Sequence, residues 1–133
     1  MLLGGVVLHV LDGNGDAHAK NYSLLHEPSG ALTLAPLYDV MSTLYYGDDR
    51  LAMYVDDVQR TDRVISSCII NEASAWDMFR WRAGEIADAL LERVPAAVDR
   101  AAVVTPELPN EILAILDAQS RGGALRRHDH DRL

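Results

Sequence analysis

From Ser74 onward the apolar residues recur at helical spacing, and nothing else in the sequence constrains the fold as tightly. Phe79, Ala83, Ile86, Ala87, Leu90 and Val94 fall on one face at three- and four-residue intervals, while Arg82, Glu85, Asp88 and Glu92 lie elsewhere. Such a stripe has to be covered by another element, so the C-terminal half is predicted to be packed helices. Pro95 is expected to end or kink the first helix, because its ring clashes with the preceding turn. A shorter helix over residues 96–103 would follow. Pro109 suits the first turn of a last helix carrying Ile112, Ile115 and Leu116, with Gly122-Gly123 as its stop.

The N-terminal half follows different patterns. Residues 2–11 are apolar with two early glycines and read as the end of a buried helix or as a strand. Asp12-Gly13-Asn14-Gly15-Asp16 concentrates residues that tolerate positive φ or bond their own backbone, and reads as a turn. Residues 22–25 and 31–35 are short strand candidates joined by Glu27-Pro28-Ser29-Gly30, and residues 51–55 form another, leading into Asp56-Asp57. The fold class expected is α+β and predominantly helical, with a short β-hairpin beside the turn. One domain is expected over residues 1–125, followed by a charged tail, 126–133, expected to be disordered.

At 133 residues and about half apolar, the chain can build an ordinary core. Its formal net charge of −8 makes it a poor partner for phosphate backbones, so no direct nucleic-acid contact is expected. Cys68 is the only cysteine, which excludes an internal disulfide and suits a reducing cytoplasm. No apolar run is long enough for a membrane span, and no signal-peptide pattern opens the chain.

The chemistry-bearing stretch is Asn14-Gly15-Asp16-Ala17-His18-Ala19-Lys20-Asn21, followed by Leu37-Tyr38-Asp39-Val40. Phosphoryl transfer needs a carboxylate near the attacking hydroxyl, oxygen ligands for Mg2+, and positive charge on the phosphates. Asp16 can be that carboxylate, while Asn21 and Asp39 offer the hard oxygens Mg2+ prefers. Lys20, the only lysine, and His18 can reach phosphate oxygens. An Asp followed five residues later by an Asn, then by a second Asp beyond a hairpin, repeats the layout of a kinase catalytic loop and its metal-binding Asp.

The string from Asn14 to Leu24, with Leu34-Ala35-Pro36-Leu37-Tyr38-Asp39-Val40 after a short gap, resembles the active-site signature of HipA-like serine/threonine toxin kinases. The resemblance implies a protein-kinase-like C-terminal lobe. In that lobe Asp16 would be the catalytic base and Asn21 and Asp39 the metal ligands. His18, Lys20, Asn21, Tyr38 and Asp39 would form the nucleotide site. It implies Mg2+ and ATP, an antitoxin partner, and a protein substrate of translation such as an aminoacyl-tRNA synthetase. Asn14-Gly15 stands where ordinary protein kinases have His-Arg, and Tyr-Asp-Val where they have Asp-Phe-Gly; both departures are those of the HipA-like branch. No Gly-rich phosphate loop and no upstream strand lysine precede Asp16. The expectation is therefore that an N-lobe or partner subunit is missing, that the chain folds but does not transfer phosphate alone, and that residues 2–8 expose an apolar face. The alternative is a non-catalytic remnant that only binds a partner.

Simpler readings stand beside these. Asp12-x-Asn14-x-Asp16 opens like a calcium loop, but Ala17 and Ser23 occupy the places where such a loop needs Gly and Glu. Asp16 and Asn21 could be capping residues of a structural turn. Tyr38 could be a core tyrosine with a bonded hydroxyl, His18 a surface histidine, and His128-Asp129-His130-Asp131 a solvated tail. Trp76 and Trp81 are expected to serve packing.

Overall fold

In a computed structural model, the chain is described over residues 2–126. Helix α1 (Leu2–Asp12) runs into a glycine-rich turn, then hairpin β1 (Leu24–His26) and β2 (Leu32–Leu34). A second hairpin follows, β3 (Arg50–Val55) and β4 (Val58–Arg60). Helices α2 (Ser66–Ala75), α3 (Arg80–Val104) and α4 (Asn110–Gly122) complete the order. Both hairpins are antiparallel and separate, so the protein is α+β and mainly helical.

The core is built around α1. Leu3, Val7, Val10 and Leu11 pack with Cys68, Ile69 and Ala73 of α2 and with Ala83, Ile86, Ala87 and Leu91 of α3, while Leu51 and Val55 close one side. Of residues 2–8, Leu2 is exposed and Gly4 and Leu8 are half-buried, so the exposed apolar face expected there is only partly present. Leu3, Gly5, Val6 and Val7 are buried within the chain itself, because α1 is the element the other helices cover.

Two sequence expectations fail at α3. The helix continues past Pro95 rather than ending there, although proline removes one backbone donor and leaves the carbonyl four residues earlier without its partner. That carbonyl is Leu91 O, and it accepts the Arg126 guanidinium, which also binds Ser120 O. The Arg126 side chain thus stands in for the lost helical bond. The rest of the expected tail, including His128 to Asp131, lies outside the described residues. Phe79, counted in the buried stripe, is 73% exposed at the N-cap, where it stacks on Trp81, itself 63% exposed. The stripe begins at Ala83.

The β3–β4 connection is a two-residue turn with positive φ at both Asp56 and Asp57, the backbone that matches strand twist. It is pinned to α2 by Asp56 N–H donating to Glu72 Oε2 at 2.8 Å and by Asn71 Nδ2 donating to Asp56 Oδ2 at 2.8 Å. This docking sets the start of β3 against the turn that follows α1.

Candidate active site

Helix α1 ends in a reverse turn that aims the next residues. Gly13 has φ +66°, and Asn14 N–H donates to His9 O at 2.9 Å, a 6→1 closure that caps the helix. The Asp12 carboxylate accepts the same Asn14 N–H at 2.9 Å. The chain then turns at Asp16, where His18 N–H donates to Asp16 O at 2.8 Å. A short 3-10 turn, Ala19–Asn21, follows.

Asn21 and Asp39, eighteen residues apart, meet here. Asn21 Nδ2 donates to Asp39 Oδ2 at 3.1 Å, and the buried Asn21 Oδ1 has no hydrogen-bond partner. Asp39 adopts φ +56°, a left-handed backbone that carboxylate residues tolerate better than most, and its carbonyl faces the α1 turn. Asn14, completely buried, joins the two segments: Nδ2 donates to Asp39 O at 3.2 Å and Oδ1 accepts Asp16 N–H at 3.0 Å.

Asp16 itself is exposed, with His18 Nε2 3.4 Å from Oδ1. Lys20 is exposed at the same rim. Tyr38 is neither fully open nor a core residue. It is 46% exposed, its hydroxyl donates to Lys20 O at 2.8 Å and lies 3.1 Å from Ser23 Oγ, so it ties the Asp39 segment to the Lys20 segment. Of the calcium-loop trio, Asp12 Oδ1 and Asn14 Oδ1 accept Asn14 N–H and Asp16 N–H. Among the described residues no group of three His, Cys, Asp or Glu could hold a metal by itself.

Sequence reasoning missed Thr43. Its hydroxyl accepts Gly15 N–H at 2.8 Å and donates to Gly13 O at 2.9 Å, clasping the turn on both sides of Asn14. The two glycines carried a trace of this, since Gly15 leaves room for a close neighbour.

Beneath the turn, burial raises the Asp12 carboxyl above its ordinary value of 3.8, opposed by His9 and by the Asn14 N–H. Burial and the Asp12 charge push the Tyr22 hydroxyl up to about 12. A carboxyl raised in the folded state stabilises the fold fully below its unfolded value and loses that contribution as pH rises through the folded value. Asp12→Asn keeps an oxygen for Asn14 N–H and removes the buried charge. Its stability relative to the parent should therefore rise as pH climbs from about 4 toward neutrality. Urea midpoints at both ends of that range check this; a difference independent of pH would sink it.

The family model for the HipA-like C-terminal domain matches residues 1–102. The chain belongs to that family. The candidate kinase Y4mE of Sinorhizobium fredii is 33% identical over 103 residues, covering 76% of this chain and 23% of that relative. The serine/threonine-protein kinase toxin HipA of Shewanella oneidensis is 43% identical over 58 residues, 42% of this chain and 13% of the toxin. A chain of the Shewanella oneidensis MR-1 toxin–antitoxin complex of HipA, HipB and operator DNA superposes with TM-score 0.77 at 25% identity, covering 90% of this chain and 30% of that one. The HipA-like domain thus spans less than a third of each relative. No described helix is long and apolar enough to cross a membrane.

Proposed function

We propose that this HipA-like domain is the catalytic and metal-holding half of an ATP-dependent serine/threonine protein kinase of the toxin–antitoxin type. The observation that carries the reading is the Asn21–Asp39 pair: an amide and a carboxylate in contact, with a buried amide oxygen left free, beside the turn that presents Asp16. A buried oxygen with no partner is costly, and a divalent cation would satisfy it. Binding would exchange the Asn21–Asp39 hydrogen bond for two oxygen–metal contacts. The cation, once bound, neutralises charge on the transferring phosphoryl group.

The chain's own residues supply the rest. Asp16, exposed to the approaching hydroxyl, accepts its proton and orients it for attack. His18 and Lys20 stand at the rim where they can reach phosphate oxygens, and Tyr38 holds Lys20 in place through its carbonyl rather than by touching nucleotide. A Gly-rich loop and a second-lobe lysine are needed to close over ATP, and none of the described residues forms them. In this reading phosphate transfer requires such a lobe, in the same polypeptide or in a partner. An antitoxin partner and a translation-protein target belong to the same proposal. The net charge of −8 assigns any DNA contact to the antitoxin.

The test is cation binding by the chain itself. Mn2+ should broaden the amide resonances of Asn21 and Asp39 first. Asp39→Ala should weaken that binding at least about tenfold, since even outer-shell changes at metal sites have that effect. Its unfolding midpoint should move little, because Asp39 is exposed. Mn2+ broadening centred elsewhere would end the reading.

A further inference from the structure

We propose that Asn14 is a positioning residue that holds the Asp16 turn and the Asp39 segment in one frame, so that a cation at Asp39 is felt at Asp16. The inference rests on the functional reading above and extends it to a residue that touches neither cation nor phosphate.

A primary amide offers one oxygen and two N–H donors, and Asn14 uses all three while completely buried. Oδ1 accepts Asp16 N–H at 3.0 Å; Nδ2 donates to Asp39 O at 3.2 Å and reaches His9 Nδ1 at 3.2 Å. The orientation is forced, because Asp16 N–H can only donate and Asp39 O can only accept. The same His9 Nδ1 also faces the Asp12 carboxylate, 3.7 Å from Oδ2, while His9 Nε2 is buried without a partner. The His9 ring is held edge-on to Tyr22, 5.6 Å between centroids, so the third bond anchors Asn14 in the core of α1.

Aspartate would set a carboxylate against the Asp39 carbonyl, and leucine would orphan both backbone groups. The segments joined are 25 residues apart, and the bonded atoms are the backbone groups of the two carboxylate residues themselves. Thr43 clasps the same turn from outside, but through Gly13 and Gly15, so it steadies the turn without reaching Asp39.

Two measurements on the 133-residue chain decide the matter. Without cation, amide exchange at Asp16 should quicken by roughly two- to tenfold in Asn14→Ala, the factor supplied by one hydrogen bond of ordinary net strength. Exchange in α3, at Ile86, should stay unchanged. Unchanged exchange at Asp16 overturns the proposal. If Asn14→Ala does not fold, the unaltered chain still answers, since its Asn14 side-chain amide protons should exchange slowly, and fast exchange overturns the inference.

With Mg2+, the Asp16 amide should shift along with Asn21 and Asp39 in the unaltered chain and in Thr43→Val. In Asn14→Ala it should stay still while Asn21 and Asp39 still respond, which a merely structural role would not produce. Shifts at Asn21 and Asp39 with none at Asp16 in the unaltered chain overturn the coupling alone. No shift at any of the three overturns the cation reading as well.

Discussion

Asp16→Asn should slow phosphoryl transfer by about 100- to 10,000-fold while leaving the fold intact, the range over which a positioned general base acts. The assay needs a complete kinase. This chain, set in place of the matching region of the Shewanella oneidensis toxin, supplies one, and radiolabel from ATP gives the readout. The structure makes the variant clean. The Asp16 side chain is exposed, with His18 Nε2 3.4 Å from its carboxylate, while the bonds that hold the turn run through its backbone N–H. Asparagine keeps the shape and loses the proton acceptor, so stability should stay within about 0.5 kcal/mol of the parent, as for surface changes generally. Transfer retained in the variant would show that Asp16 is not the base. Loss of transfer with a lowered unfolding midpoint would point to damage in the turn instead.

The Asn21–Asp39 contact was more legible than the packing, for a physical reason. Asp16, Asn21 and Asp39 lie in one continuous stretch, and the hairpin between Asn21 and Asp39 announces itself through Pro28 and Gly30, so contact between its two ends follows from local chemistry. Helix α2 gave no such signal. Ser66, Ser67, Asn71 and Ser74 compete with their own backbone and two isoleucines sit side by side, so tertiary burial of Cys68, Ile69 and Ala73 makes it a helix, not its propensity. Pro95 misled because the residue that replaces its missing bond, Arg126, lies 31 positions away. Thr43 went unseen since its partners are backbone atoms, which every residue carries. Phe79 fitted an apolar stripe by spacing alone, and spacing does not record which face the neighbouring elements cover.

Gly15→Ala should displace the turn that presents Asp16. A Cβ at Gly15 would lie 2.3 Å from the backbone carbonyl oxygen of Arg50 and 2.7 Å from Thr43 Oγ1. Neither neighbour can move freely. Arg50 opens β3, whose far end is pinned to α2 through the Asp56 turn, and Thr43 is held by Gly13 O through both its hydroxyl and its own N–H at 2.9 and 3.0 Å. Relief therefore has to come from residues 13–16 themselves, at a cost of about 1–3 kcal/mol for overpacking. A shift of this kind carries Asp16 with it, and a misplacement of roughly 1 Å in a reacting group can cost on the order of 100-fold in rate. Gly84→Ala is the matched comparison. It lies within α3 with nothing inside 4 Å of the added methyl, so it should stabilise the chain by about 0.5–1 kcal/mol through helix propensity. Thermal unfolding of both variants, with transfer measured in the assembled kinase, separates the two effects. Equal unfolding midpoints would mean that β3 yields and that the turn is not clasped as drawn. A destabilised Gly15→Ala with undiminished transfer would mean that Asp16 is held by Asn14 alone.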